Sequence, residues 1–178
     1  MDYETAAKRR DSTHFYRLLD GFPEQLEHAI TIAEKARIKA SKGIRNVVIC
    51  GMGGSGIAGR IVVDLCGNEL KVPMYTHADY GLPAFADRST LVILVSYSGN
   101  TEETLSGYDE ANKRKCKMVS ITSGGQLAER DAGAILIPSG YPPGQALAFL
   151  LVPLLMILSR HKIISKKGHE LASGAALL

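Results

Sequence analysis

The sequence contains no tryptophan, and phenylalanine and tyrosine together make up only 6 % of its 178 residues. Surfaces that read nucleic acid interleave aromatics with basic clusters, and no such interleaving occurs here. Charge of one sign is not in large excess either: 21 Lys and Arg against 18 Asp and Glu leave a net +3. That balance does not call for a polyanionic partner, and the short runs "AKRR" (7–10) and "SKKGH" (165–169) read as solvated surface. The three cysteines, Cys50, Cys66 and Cys116, form no CxxC pair, which predicts reduced thiols in a cytoplasmic protein. Five scattered histidines offer no HxH or HxxxH pair, so no metal or other cofactor is expected. The longest apolar run, "ALAFLLVPLLMIL", spans 13 residues and is interrupted by Pro153. It falls short of the roughly 20 residues a membrane span needs. The opening "MDYETAAKRRDSTHFYRLL" has no apolar stretch of signal-peptide type. No membrane partner is expected.

What the sequence does have is ordinary globular material, with 46 % hydrophobic and 22 % charged residues. The length suits one domain with a sizeable core. Residues 14–41 read as a helix, with Leu26, Ile30, Ala33 and Ile38 near a 3.6-residue period, Pro23 tolerable near its start and Gly43 as a stop. The texture then changes to short apolar runs at 46–50, 72–76, 91–95, 117–121 and 134–138. These do not alternate, as expected of strands covered on both faces. Helical lengths at 56–67 and 101–115 lie between them. The alternation predicts a five-stranded, doubly wound parallel α/β sheet of flavodoxin type, with ligands beyond the carboxyl ends of the strands. The expected organisation is an N-terminal helical segment (1–44), one domain (45–165) and a C-terminal tail (166–178).

Two strand ends lead into small-residue loops. "NVVIC" runs into "GMGGSGIAG" (51–59), and "LVILV" runs into "SYSGNT" (96–101). Gly51, Gly53 and Gly56 match the GxGxxG dinucleotide fingerprint, but the second strand ends "YTHAD", with its first acid, Asp79, beyond the strand. The P-loop pattern fails for want of Gly-Lys-Ser/Thr, and the nucleophile elbow fails at Ile57. If the two strands are neighbours, Ser55 converges with Ser96, Ser98 and Thr101 on one phosphate, aided by two helix N-termini. The plainer alternative is a turn with Thr101 as N-cap, and the two can coexist.

"GMGGSGIAG" and "SYSGNTEETL" resemble the loops of the sugar isomerase (SIS) domain, whose members bind phosphosugars. The stretch 75–105 is similar to the N-terminal half of archaeal-type bifunctional phosphoglucose/phosphomannose isomerases. The resemblance implies a sugar-phosphate ligand and an aldose–ketose isomerisation through an enediolate. It also implies phosphate contacts at Gly53, Gly54, Ser55, Ser96, Ser98 and Thr101. Departures are equally specific. Such enzymes carry two SIS domains, with the catalytic glutamate, histidine and lysine in or after the second, and "YPPGQALAFL" puts Gly144 where an arginine would stand. The catalytic residues are thus unidentified. Possible stand-ins are Glu102 and Glu103, His77 and Asp79, or His161, His169 and Glu170; each also has an ordinary explanation as helix-dipole complement, surface loop or solvated tail. Three outcomes follow: an isomerase, completed as a homodimer or by a second SIS-domain polypeptide; a non-catalytic phosphosugar-binding module; and, less favoured, a 6-phospho-3-hexulose isomerase. The apolar helix at 146–158 predicts a dimer, because a sheet covers only one side of it.

Overall fold

The computed structural model describes residues 10, 11, 19–142 and 144–177. Strands β1 (Asn46–Cys50), β2 (Met74–His77), β3 (Thr90–Ser96), β4 (Lys117–Thr122) and β5 (Ile135–Leu136) form one sheet in the order β2-β1-β3-β4-β5. Every pairing is parallel. The helices are α1 (Phe22–Lys35), α2 (Gly53–Cys66), α3 (Glu102–Lys113), α4 (Gly125–Arg130), α5 (Leu147–Arg160) and α6 (Gly168–Leu177). The winding direction reverses between β1 and β3, which are direct neighbours with Val48 beside Val92 and Cys50 beside Leu94. Both strands therefore deliver their following loops to the same crevice.

The central strands β1 and β3 are mostly apolar because each side of the sheet has its own core. Val47 and Ile49 of β1, with Leu91, Ile93 and Val95 of β3, face the layer of α1, α2 and α5. Val48, Cys50, Val92 and Leu94 face Leu105 and Ala111 of α3 and Leu127 of α4. Full burial of each such side chain is worth about 1.5–3 kcal/mol. Burial also pushes the Cys50 thiol up to about 12, with nearby Cys116 adding to the shift.

Several expectations need revision. The first helix ends at Lys35, where Ala36 turns extended, and not near Gly43. Its buried stripe of Leu26, Ala29 and Ala33 has only Ala36 and Arg37 to continue it. The predicted start at residue 14 lies outside the described residues. The tail is not simply solvated: α6 forms there, Ala175 joins the core, and Lys167 pairs with Glu69 at 2.6 Å. The proline in the apolar run, expected to kink or restart the helix, does not restart it: α5 runs through Pro153 as one helix. A buried internal proline forfeits a backbone bond at a cost of about 3 kcal/mol, and α5 offsets that by burying nine residues, Phe149 and Leu154 completely. The cover assigned to a second subunit comes instead from this chain, since α1 and α2 pack along α5. Among the described residues no helix is long and apolar enough to cross a membrane.

Candidate functional site

The β1–α2 turn is built on backbone proximity. A Cβ on Gly56 would lie 2.6 Å from the Gly51 carbonyl oxygen, so the turn closes only with glycine there. Gly53, at φ +51°, opens α2, and no side chain caps the helix or places an acid in its first turn. The leading N–H groups and the positive end of the dipole therefore face the crevice without a competing carboxylate from α2.

The β3–α3 turn is built on hydroxyls. Ser96 Oγ accepts the Gly99 N–H at 3.1 Å and lies 2.9 Å from Thr101 Oγ1, with Ser96 only 1 % exposed. Ser98 Oγ accepts the Asn100 N–H at 3.2 Å. Thr101 occupies the N-cap position of α3, yet its side chain makes no capping bond, because the hydroxyl is turned to Ser96. Gly99, at φ +71°, sits where a Cβ would collide with the Gly124 carbonyl oxygen. Asn100 Oδ1 accepts the Gln126 N–H at 3.0 Å, tying this turn to α4.

One bond joins the two turns: Ser55 Oγ accepts the Tyr97 N–H at 3.2 Å. Between them lies a cleft of about 230 Å³, with Ser55, Ser98 and Thr101 supplying hydroxyls and Gly54 and Gly144 supplying bare backbone. Met52, Ala146 and Leu150 complete an apolar side. None of the described lining residues carries a charge. Of the sequence-predicted residues, Gly54, Ser55, Ser98 and Thr101 line the cleft. Ser96 stands behind them, holding the turn. Gly53 is exposed at the mouth of α2. A larger groove of about 600 Å³ lies between residues 35–39 and β5, but no pair of strand-end loops converges there.

The candidate acid–base groups do not gather at the cleft. His77 Nε2 is 3.4 Å from the Tyr80 carbonyl oxygen, and Asp79 accepts the Tyr80 N–H at 2.7 Å. Glu102 accepts the Tyr80 hydroxyl at 2.9 Å, which pushes the phenol up from its usual range. Glu103 follows in the first turn of α3 without lining the cleft. His161 follows the far end of α5, about 20 Å along the helix from its start, with Nδ1 donating to the Ile157 carbonyl at 2.8 Å. His169 lies near Ser173, and Glu170 near Lys167, both in the C-terminal segment.

Sequence reasoning missed Tyr97 and Asn100. Tyr97 extends both ways: its carbonyl accepts the Ser123 hydroxyl at 2.6 Å, and its own hydroxyl donates to the Pro138 carbonyl at 3.1 Å. The signal in the sequence is a large aromatic set between Ser96 and Ser98.

Residues 43–160 match the SIS domain, and the chain belongs to that family. It is 42 % identical over 161 residues to the bifunctional phosphoglucose/phosphomannose isomerase of Caldicellulosiruptor bescii, covering 88 % of this chain and 48 % of that protein. The enzyme of the same name from Thermoplasma acidophilum is 40 % identical over 160 residues, with the same shares covered. The chain thus spans about half the length of these curated relatives. Among solved structures, the C-terminal domain of glucosamine-fructose-6-phosphate aminotransferase from Francisella tularensis superposes with a TM-score of 0.73 at 20 % identity, covering 96 % of this chain and 56 % of that one. This last likeness supports the fold alone.

Proposed function

We propose that the cleft between the β1–α2 and β3–α3 turns holds the phosphate of a hexose phosphate of the glucose, mannose or fructose 6-phosphate class. In this reading the domain forms one part of an aldose–ketose isomerase. The observation that carries this is the convergence of two strand-to-helix turns at the sheet's switch point, joined by the Ser55–Tyr97 bond. Ser55, Ser98 and Thr101 donate hydroxyls, while Gly53 and Gly54 present backbone at the start of α2. Ser96 keeps the second turn in register. Helix dipoles and aligned N–H groups supply the electrostatics.

Isomerisation moves a proton between adjacent carbons and needs a base within hydrogen-bond reach of them. The described lining residues offer no carboxylate or imidazole. The acid–base pair therefore comes from outside this domain, from a second copy in a homodimer or from another SIS domain. Free, unpaired Cys50, Cys66 and Cys116 suit a cytoplasmic setting. A second reading, a non-catalytic phosphosugar-binding module, is favoured by the same neutral lining and by Gly144 on the cleft wall.

The test is a coupled isomerase assay on the purified chain with glucose 6-phosphate and mannose 6-phosphate, alongside thermal shift with fructose 6-phosphate. Ligand at 100 times its Kd should stabilise by about 2.7 kcal/mol. Turnover supports the isomerase, and a shift without turnover supports the binding module. Failure of fructose 6-phosphate to shift the melting removes both. Ser55→Ala combined with Ser98→Ala should weaken binding by two orders of magnitude or more, since each lost bond to a charged group costs about 1.5–3 kcal/mol.

A further inference from the structure

We propose that Tyr97 is a positioning residue, whose hydroxyl fixes the sugar-side wall of the cleft without holding the phosphate. The inference rests on the phosphosugar reading above and adds a division of labour within the site. The Tyr97 main chain belongs to the cradle: its N–H goes to Ser55 Oγ at 3.2 Å, and its carbonyl accepts both the Ser123 hydroxyl and the Ser123 N–H. Tyr97 also lines the cleft, and its side chain reaches past the two turns to the segment beyond β5. The hydroxyl donates to the Pro138 carbonyl at 3.1 Å and accepts the Tyr141 N–H at 2.8 Å, satisfying a donor and an acceptor of the segment that follows β5.

That segment forms the opposite wall of the cleft. Tyr141 packs its ring against Phe149 of α5 at a 52° tilt, with centroids 5.2 Å apart, and Phe149 is fully buried. Three residues on, Gly144 comes so near α2 that a Cβ on Gly54 would lie 3.1 Å from the Gly144 Cα. At φ +83°, Gly144 takes a conformation that glycine adopts readily and other residues rarely do. The wall thus hangs from Tyr97 at one point and rests on Phe149 and Gly54 at others. A phosphate against Ser98 and Thr101 sits on the cradle side, and the sugar carbons extending from it meet the wall. Removing the hydroxyl frees the wall and leaves every cradle bond intact, because the Ser55 and Ser123 bonds use the Tyr97 backbone.

The experiment measures binding of inorganic phosphate and fructose 6-phosphate by Tyr97→Phe and by the unmodified chain, with amide hydrogen exchange at Tyr141. The variant should bind fructose 6-phosphate about tenfold more weakly, the effect of losing roughly one to two net hydrogen bonds. Inorganic phosphate should bind with its affinity unchanged, and the Tyr141 amide should exchange faster. Equal weakening of both ligands overturns the proposal, since Tyr97 would then support the cradle as a whole. No change in either ligand, or in Tyr141 exchange, also overturns it. Should Tyr97→Phe not fold, the unmodified chain decides: fructose 6-phosphate must slow Tyr141 exchange more than saturating phosphate does, and equal slowing refutes the wall. If the unmodified chain binds neither ligand, the phosphosugar reading itself falls, an outcome distinct from those that overturn Tyr97 alone.

Discussion

The two turns that face each other across the cleft do the same job with opposite materials. The β1–α2 turn works by having nothing at Cβ: Gly51 and Gly56 touch backbone to backbone, and no side chain caps the helix that follows. The β3–α3 turn works by having oxygen at nearly every position, with Ser96, Ser98 and Thr101 each bonded within the loop. The first is sensitive to added atoms; the second is sensitive both to an added Cβ, at Gly99, and to a lost hydroxyl. A helix N-terminus can be opened toward a ligand either by emptying the space before it or by engaging the hydroxyl that would otherwise cap it.

Of the substitutions considered, the largest effect in the first turn is expected at its tightest point. Gly56→Ala puts a methyl 2.6 Å from the Gly51 carbonyl oxygen, with backbone on both sides and no flexible side chain to yield. Overpacking of this kind costs about 3 kcal/mol, which a melting curve should register as a drop of about 6–12 °C for a chain of this size. In the second turn, removal is the sharper probe. Ser96→Ala deletes the buried acceptor of the Gly99 N–H and the partner of Thr101, at a cost of about 1–3 kcal/mol by denaturant titration. It should also let Thr101 cap α3, weakening fructose 6-phosphate binding. Gly53→Ala sharpens the comparison from the other side. Nothing lies within 4 Å of the added methyl, so only the positive φ is penalised, by about 1 kcal/mol. A larger loss would show that the first turn depends on space at Gly53 as well.

The smallest effect lies far from both turns. Lys167 and Ser165 hold the Glu69 carboxyl down to about 2. A depressed carboxyl contributes stability that is present above its unfolded value, near 4.5, and is lost as pH falls from there toward 2. Acid titration of Glu69→Gln should therefore differ from the unmodified chain above about pH 4.5 and converge with it near pH 2, while the cleft variants should follow the parent curve.

The legibility of this molecule in its sequence follows the same division. Strands such as "LVILV" are readable because burial on both faces removes all polar positions, and β3 extends that run by one residue at each end. The converging turns were visible because their residue types are rare in combination. Ser96, expected among the phosphate contacts, is buried behind the cleft, because its position depends on where Gly99 and Thr101 fold back, which no local pattern reveals. The C-terminal helix was missed because its only buried side chain is Ala175, too small to mark a periodic stripe. Tyr97 was missed for a different reason: its partners, Pro138 and Tyr141, lie some 40 residues away and are backbone atoms, and backbone partners have no spelling. The cover on α5 was misassigned because hydropathy reports that a face is buried but not by what.

The neutrality of the cleft has a consequence for the life of a complex in a crowded solution. A ligand gripped by lysines displaces counterions, and its affinity falls steeply as salt rises. Here the described lining residues carry no ion, so an anion is met by dipoles that are fixed, short-ranged and already oriented. If it holds the phosphate as proposed, such a cleft should keep nearly the same affinity from dilute buffer to high ionic strength. It selects at contact distance, by shape, and exerts little pull on an anion that is leaving.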